Sequence, residues 1–313
     1  MFTARQKKEK NSFKSAYYKS LGFYISVAAL PIIQFALFYV YVNFNSISLA
    51  LKTYDPITRE VIKIGFDNFN TIIFNWTNYT ELKIALSNSL TMFAANILVG
   101  ITCGMLFSYY IFKKMPLHNT FKVFLFLPTI VSAIVMVVIY TYFVDGAIPA
   151  ILEKAFGVKI LGLLSSDNCK TVFGTLIFYN IWVGFGSQIL LYVGAMNGIS
   201  YSVIEAGKID GANAVKEFIH IVFPSIYPTF IVFFTVAIAK IFTDQMALFS
   251  FYGKDIKDTR LITVGYYLYE GVQDGTVVEY PYYSAIGIVC TMINLPLTLA
   301  IRWALNKFGP SED

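Results

Sequence analysis

Charge is what this sequence has least of. Of its 313 residues 14% are Asp, Glu, Lys or Arg, while 57% are hydrophobic; soluble domains carry about 25% charged residues. So few charges cannot cover a water-facing surface on a chain of this length, and the mean hydropathy of +0.61 agrees. Regular alternation of inward and outward residues is lacking too. Long apolar runs without it point to helices rather than a barrel, the two architectures that satisfy every backbone group in lipid. An all-α, polytopic integral membrane protein with about six transmembrane helices is expected.

Other absences narrow the chemistry. The three cysteines, Cys103, Cys169 and Cys290, have no metal-ligand spacing and no evident pairing; two read as small buried hydrophobes and one as an incidental loop thiol. The net charge of +5 comes without any basic-aromatic patch, so no nucleic-acid partner is expected. No G-x-x-x-x-G-K-[ST] phosphate loop and no H-E-x-x-H occurs, His118 and His220 stand alone, and Gly186-Ser187 lacks the G-x-S-x-G frame. An intramembrane enzyme, a rival reading, finds no support in these residues. Internal repeats, which many ion-coupled secondary transporters carry, are absent as well.

What is present is a series of apolar runs at about 22–43, 85–112, 121–144, 171–195, 226–249 and 281–303. The charged start, with Arg5, Lys7, Lys8, Lys10, Lys14 and Lys19, leads into a first run longer than the roughly 7–15 residues of a signal core. That span is therefore expected to be retained. Lys113, Lys114, Lys122, Lys208, Lys216, Arg302 and Lys307 share the side of the N-terminal cations, which the positive-inside rule makes cytoplasmic. Both termini are then cytoplasmic. The boundaries expected are a basic tail over 1–21, a first helix over 22–43, an extracytoplasmic loop over 44–84, a membrane core over 85–303 and a tail over 304–313. Segment 147–164 has helical apolar spacing and suits an amphipathic helix on the outer surface.

Between the fourth and fifth runs stands EAGKIDGANAVKEFIHIVFPSIYP, from Glu205 to Pro228. It reads as two short helices separated by Asp210-Gly211. Gly211 can take positive φ at little cost, Asp210 is suited to cap the second helix, and Pro224 should break the run before the fifth span. Small residues Ala206, Gly207, Ala212 and Ala214 would let another protein approach the backbone closely. On residue chemistry alone, a rigid cytoplasmic elbow and an ordinary re-entry turn fit equally.

The string Glu205-Ala206-Gly207, Asp210-Gly211-Ala212, then Phe218, Ile221 and Pro224 resembles the EAA loop of ABC importer permeases. Gly207 stands where that family usually has Ala, and Phe223 where it has Leu. Asn88-Ser89-Leu90, Leu127-Pro128, Trp182 and Met196-Asn197-Gly198-Ile199-Ser200 extend the resemblance, Ser200 replacing a common Pro. Pro31 and the segment 46–55 are similar to the start of maltose-transporter-type permeases, the first permease of type I carbohydrate importers.

The resemblance implies a multi-pass protein of a bacterial cytoplasmic membrane that is not itself an enzyme and binds no cofactor. ATP and Mg²⁺ belong to separate cytoplasmic ATP-binding subunits. The coupling loop, 201–225, would dock there through Glu205, Ala206, Gly207 and Lys208, with Asp210, Gly211 and Ala212 at its turn. A second permease and an extracellular solute-binding protein or lipoprotein complete the machine, and a sugar or oligosaccharide is the implied solute. A non-sugar solute, or ion-coupled secondary transport, is the alternative. Polar residues within the runs, Asn96, Asn180, Gln188, Lys240, Asp244 and Gln245, are candidates for the solute path, since such groups are costly in contact with lipid. Lys240 and Asp244 are four apart and could pair on one helix face, structurally or in the path. Trp182, Tyr179 and Tyr192 offer faces for sugar rings, or belong to lipid contacts and interfacial belts.

Overall fold

The computed structural model describes residues 20–310 apart from 254, 255 and 257. The N-terminal cations at 5–19 and the last three residues of the C-terminal tail lie outside the described residues. Six helices are long and apolar enough to cross a membrane: α1 (Ser20–Ala50), α3 (Glu81–Phe112), α5 (Ala133–Phe156), α6 (Cys169–Asn197), α8 (Ala214–Ala239) and α11 (Tyr280–Phe308). Between them lie α2 (Asp67–Asn78), α4 (His118–Ile130), α7 (Tyr201–Ile209), α9 (Leu248–Tyr252) and α10 (Val264–Asp274).

The chain divides into two compact units, 1–70 with 276–285, and 71–275 with 286–313. In the first, α1 leads into an antiparallel hairpin, β1 (Lys52–Tyr54) and β2 (Val61–Ile64), paired Lys52 to Ile64 and Thr53 to Lys63 with an irregularity after Thr53. Its turn is organised by Asp55, whose Oδ1 accepts from the N–H of Ile57 at 2.7 Å and of Thr58 at 3.1 Å. Those two donors hold the Asp55 carboxyl below its ordinary range. The Asn68 amide donates to the carbonyls of Ala50 and Lys52, both at 2.8 Å, and closes the base of the hairpin.

The second unit is built around α6. Leu176 meets Met92 of α3 and Tyr266 of α10; Ile181, Phe185 and Ile189 meet Ile111 of α3 and Leu125 of α4. Tyr192 and Met196 pack with Ile101 and Met105 of α3 and with Val222 and Ile226 of α8, and Tyr179 joins Met136, Val137 and Tyr140 of α5. Two glycines allow close approach: a Cβ on Gly186 would meet the Thr129 side chain of α4, and one on Gly104 of α3 would meet Gln188. Elsewhere the helices present large apolar residues outward, such as Leu98, Phe124, Ile134 and Phe178, as lipid-facing surfaces do.

Several boundaries differ from the sequence reading. The third run is two helices, because Val131 and Ser132 leave helical geometry (ψ 144° and 137°) and end α4. The segment expected as a separate outer helix from 147 is instead the last turns of α5, which stop at Gly157 with φ +68°. The fifth span ends at Ala239 rather than 249, so α8 is followed by turns and the short α9. Pro224 does not break it: α8 runs through the proline after a wider π-helical turn over Phe218–Val222. Further π turns, Ala36–Tyr41, Asn96–Ile101 and Phe143–Ala147, lie within α1, α3 and α5.

Candidate functional site: an elbow and a polar break

The elbow begins where α6 ends at Asn197. Gly198–Ser200 reverse the chain and α7 follows, presenting Glu205, Ala206, Lys208 and Ile209 outward and burying Ile204. Its end is closed by three backbone bonds: Asp210 to Ala206, Gly211 to Lys208 and Ala212 to Gly207, at 2.9–3.1 Å. Gly211 sits at φ +77°, which a side chain would strain. Asp210 is the C-cap of α7 and not the N-cap of the next helix; that role belongs to Asn213, whose Oδ1 accepts from Lys216 N–H at 2.9 Å. The correction has a simple cause, since the turn needs Gly211 and Ala212 before the chain can re-enter a helix. Gly207 faces the Ile221 side chain of α8, whose terminal methyl fills the space a Cβ would take.

One contact inside the elbow escaped the sequence reading. Glu217, in the first turn of α8, is 2% exposed. The Lys113 ammonium, at the end of α3, donates to its Oε1 at 2.7 Å and its Oε2 at 2.9 Å. The Tyr109 hydroxyl lies 3.2 Å from the same Oε1 and 3.1 Å from the Ala214 carbonyl. Lys113 reads in sequence as one more cytoplasmic cation. The available signal was a single carboxylate at the head of an apolar stretch, Phe218–Phe223.

The candidate path residues separate into two groups. Asn96, Lys240 and Asp244 line one cavity of about 20 Å³, with Ser89, Met92 and Thr263, which is room for about one water. Among the described residues Lys240 and Asp244 form no ion pair; Lys240 is the C-cap of α8 and Asp244 lies in the turn beyond it, so no helix face is shared. Asp244 Oδ1 instead accepts from Met246 N–H at 2.8 Å, while Thr263 donates to the Asp244 carbonyl at 2.8 Å. Gln245 is half-buried in the same turn. Asn180, Gln188 and Trp182 lie elsewhere. The Asn180 amide bonds the carbonyls of Leu176 and Met246 at 2.8 and 3.0 Å. Gln188 is buried against Gly104, its Oε1 without a partner, and Trp182 packs 6.3 Å from the Tyr140 ring. Tyr179 and Tyr192 are 4% and 0% exposed, so they are core residues and offer no face to a sugar.

Asn88 and Ser89 brace this break from α3. The Asn88 amide donates to the carbonyls of Arg260 and Ile262, both at 2.8 Å, and Ser89 Oγ accepts from Val264 N–H at 3.0 Å. Arg260 in turn grips Asp258 through Nε and Nη2, both at 2.8 Å, which holds the Asp258 carboxyl below its usual range.

Residues 96–311 match the family model of the binding-protein-dependent transport system inner membrane component. The arabinooligosaccharides transport system permease protein AraP of Bacillus subtilis is 27% identical over 290 residues, covering 90% of this chain and 88% of its own. The multiple sugar-binding transport system permease protein MsmF of Streptococcus mutans is 23% identical over 269 residues, covering 84% and 88%. Among solved structures, a bacterial ABC transporter involved in the import of the acidic polysaccharide alginate has a chain that aligns with a TM-score of 0.75 at 19% identity, over 94% of this chain and 99% of that one. The fold is thus shared over most of the chain, the elbow and the Asn96, Lys240 and Asp244 of the polar break lie inside the matched residues 96–311, and this chain belongs to the inner membrane components of binding-protein-dependent transport systems.

Proposed function

We propose that this chain is one transmembrane subunit of an ATP-driven importer that carries a sugar or oligosaccharide, and that it receives force through the elbow over 201–224. The observation that carries the coupling assignment is the outward face of α7, with Glu205, Ala206, Lys208 and Ile209 uncovered on a helix otherwise fastened by Ile204, Gly207 and the Asp210–Ala212 turn. A short rigid helix with an uncovered face suits docking in a groove of a cytoplasmic ATP-binding subunit. ATP and Mg²⁺ are used in that partner. Solute passes between the spans, delivered by a binding protein outside, with a second permease completing the path. Both termini then lie on the cytoplasmic side with the elbow.

The sugar assignment draws on the relatives named above and on the similarity of this fold to a bacterial alginate ABC transporter crystallised in complex with an alginate pentasaccharide-bound periplasmic protein. A cysteine placed at Ala206 or Lys208 should crosslink to the ATP-binding subunit in the assembled complex. An assembled complex that yields no crosslink from either position overturns the coupling assignment.

A further inference from the structure

The contact between Glu217 and α3 has a geometry that the coupling assignment does not use. Four features coincide there. The carboxylate is nearly wholly buried, at 3% side-chain exposure against 22% for the lysine. Both of its oxygens are taken by one ammonium, at 2.7 and 2.9 Å. The Tyr109 hydroxyl reaches both that carboxylate and the Ala214 carbonyl, and the Tyr109 ring lies 5.1 Å from that of Phe218. The first turn of α8 is therefore held to the end of α3 by charge, by a neutral hydrogen bond to backbone and by ring contact at once.

A buried ion pair is a poor source of net stability compared with apolar packing of the same volume, yet it fixes one relative geometry firmly. Its placement is informative. On one side stand Asn213 and the turn that ends α7; on the other, Lys113 opens the link to α4, with Lys114 and Leu117 at φ +50° and +59° and the Tyr110 hydroxyl on the Pro116 carbonyl at 2.6 Å. That link is tightly closed, so movement of the end of α3 is transmitted onward with little slack.

We propose that Lys113, Glu217 and Tyr109 form a clamp that makes the elbow and the cytoplasmic end of α3 one moving part, so that displacement of α7 is delivered to α3 as well as to α8. The clamp residues are positioning residues, and the inference rests on the coupling role of α7. Without the clamp, the elbow would be tied to α3 only through apolar packing, such as Val222 and Ile226 of α8 on Ile101 and Met105, and the end of α3 would lag behind it.

The test uses the assembled complex with spin labels at Leu106 of α3 and Ser202 of α7, both exposed, measured without nucleotide and with ATP in the absence of Mg²⁺. In the unsubstituted clamp the distance distribution should be narrow and the same in both states. In E217Q and K113M it should broaden and shift on ATP binding, and Y109F should give a smaller change of the same sign. The reversed pair K113E/E217K should restore the narrow distribution. A distance that changes on ATP binding with the clamp intact overturns the proposal, as does E217Q behaving like the parent. If the single charge variants do not assemble, Y109F and the reversed pair decide: a parent-like Y109F, or a reversed pair that assembles and still broadens, overturns it. The Ala206 crosslink, read in the same preparations, separates the two ideas, because its persistence alongside a failed distance test sinks the clamp alone.

Discussion

At position 207 a glycine stands in a helix where alanine would gain about 1 kcal/mol of helix propensity, and Ile221 accounts for the exchange. Its terminal methyl occupies the place of the missing Cβ. That methyl is the free end of a flexible side chain, so Gly207→Ala should be absorbed by a rotation of Ile221. The expected result is a complex whose melting temperature is unchanged or slightly raised, with the Ala206 crosslink intact; Gly207→Leu, which a rotation cannot accommodate, should lose the crosslink. A melting temperature that falls by several degrees in Gly207→Ala would show that Ile221 cannot move. Glu217 illustrates the opposite case. The residue-level signals at 205–212 announced themselves as a string with fixed spacing, whereas Glu217 owes its role to Lys113 and Tyr109, more than a hundred positions earlier. Nothing local distinguishes a carboxylate that will be buried against α3 from one on a solvated helix end.

Among the elements, α8 shows best what apolar run length conveys and what it omits. The run through 226–249 contains a span, and the helix is there, but it stops at Ala239. The residues beyond, Lys240 to Ala247, end with Met246 and Ala247 in left-handed conformation at φ +52° and +55°. Met and Ala are good helix formers, so their own preference does not foretell the left-handed turn. It is held from outside by Asn180, which donates to the Met246 carbonyl, and by Thr263, which donates to the Asp244 carbonyl, and from within by Asp244, which receives the Met246 N–H. The interruption Thr243-Asp244-Gln245 was the visible trace of it. A left-handed L-residue costs about 1–2 kcal/mol, and Gly carries no such penalty though it frees the unfolded chain. Ala247→Gly should therefore leave stability level or raise it by up to about 1 kcal/mol, read from thermal unfolding of the assembled complex. A loss beyond that range would mean that the Ala247 methyl, rather than its backbone, matters to the neighbouring core. The break of the third run at Val131–Ser132 has the same character, since neither residue is a helix stop and Pro128 lies within α4 without ending it.

For the molecule as a whole, α6 is the element on which the second unit is assembled, and its polar residues serve that assembly. Asn180 is spent on Met246, and Gln188 is buried where Gly104 makes room for it, so intramembrane polarity in this chain is not by itself the mark of a path. The cluster of Asn96, Lys240 and Asp244 around one cavity is different, because Lys240 is exposed and has no ion-pair partner among the described residues. Lys240→Met should reduce uptake of a labelled oligosaccharide in proteoliposomes, with the Ala206 crosslink retained; unchanged uptake would remove Lys240 from the path. Fold class and elbow were legible in sequence because they rest on run length and a fixed string, while pairings across the fold were not. The clamp carries that point into protein engineering. Coupling loops look like cassettes that could be exchanged between related permeases. Here a transplanted segment 201–224 with no carboxylate at position 217 would leave Lys113 without its acid, and a naked ammonium at the seam. Swaps into this chain should succeed only when the end of α3 travels with the loop, or when the donor happens to bring a carboxylate to position 217.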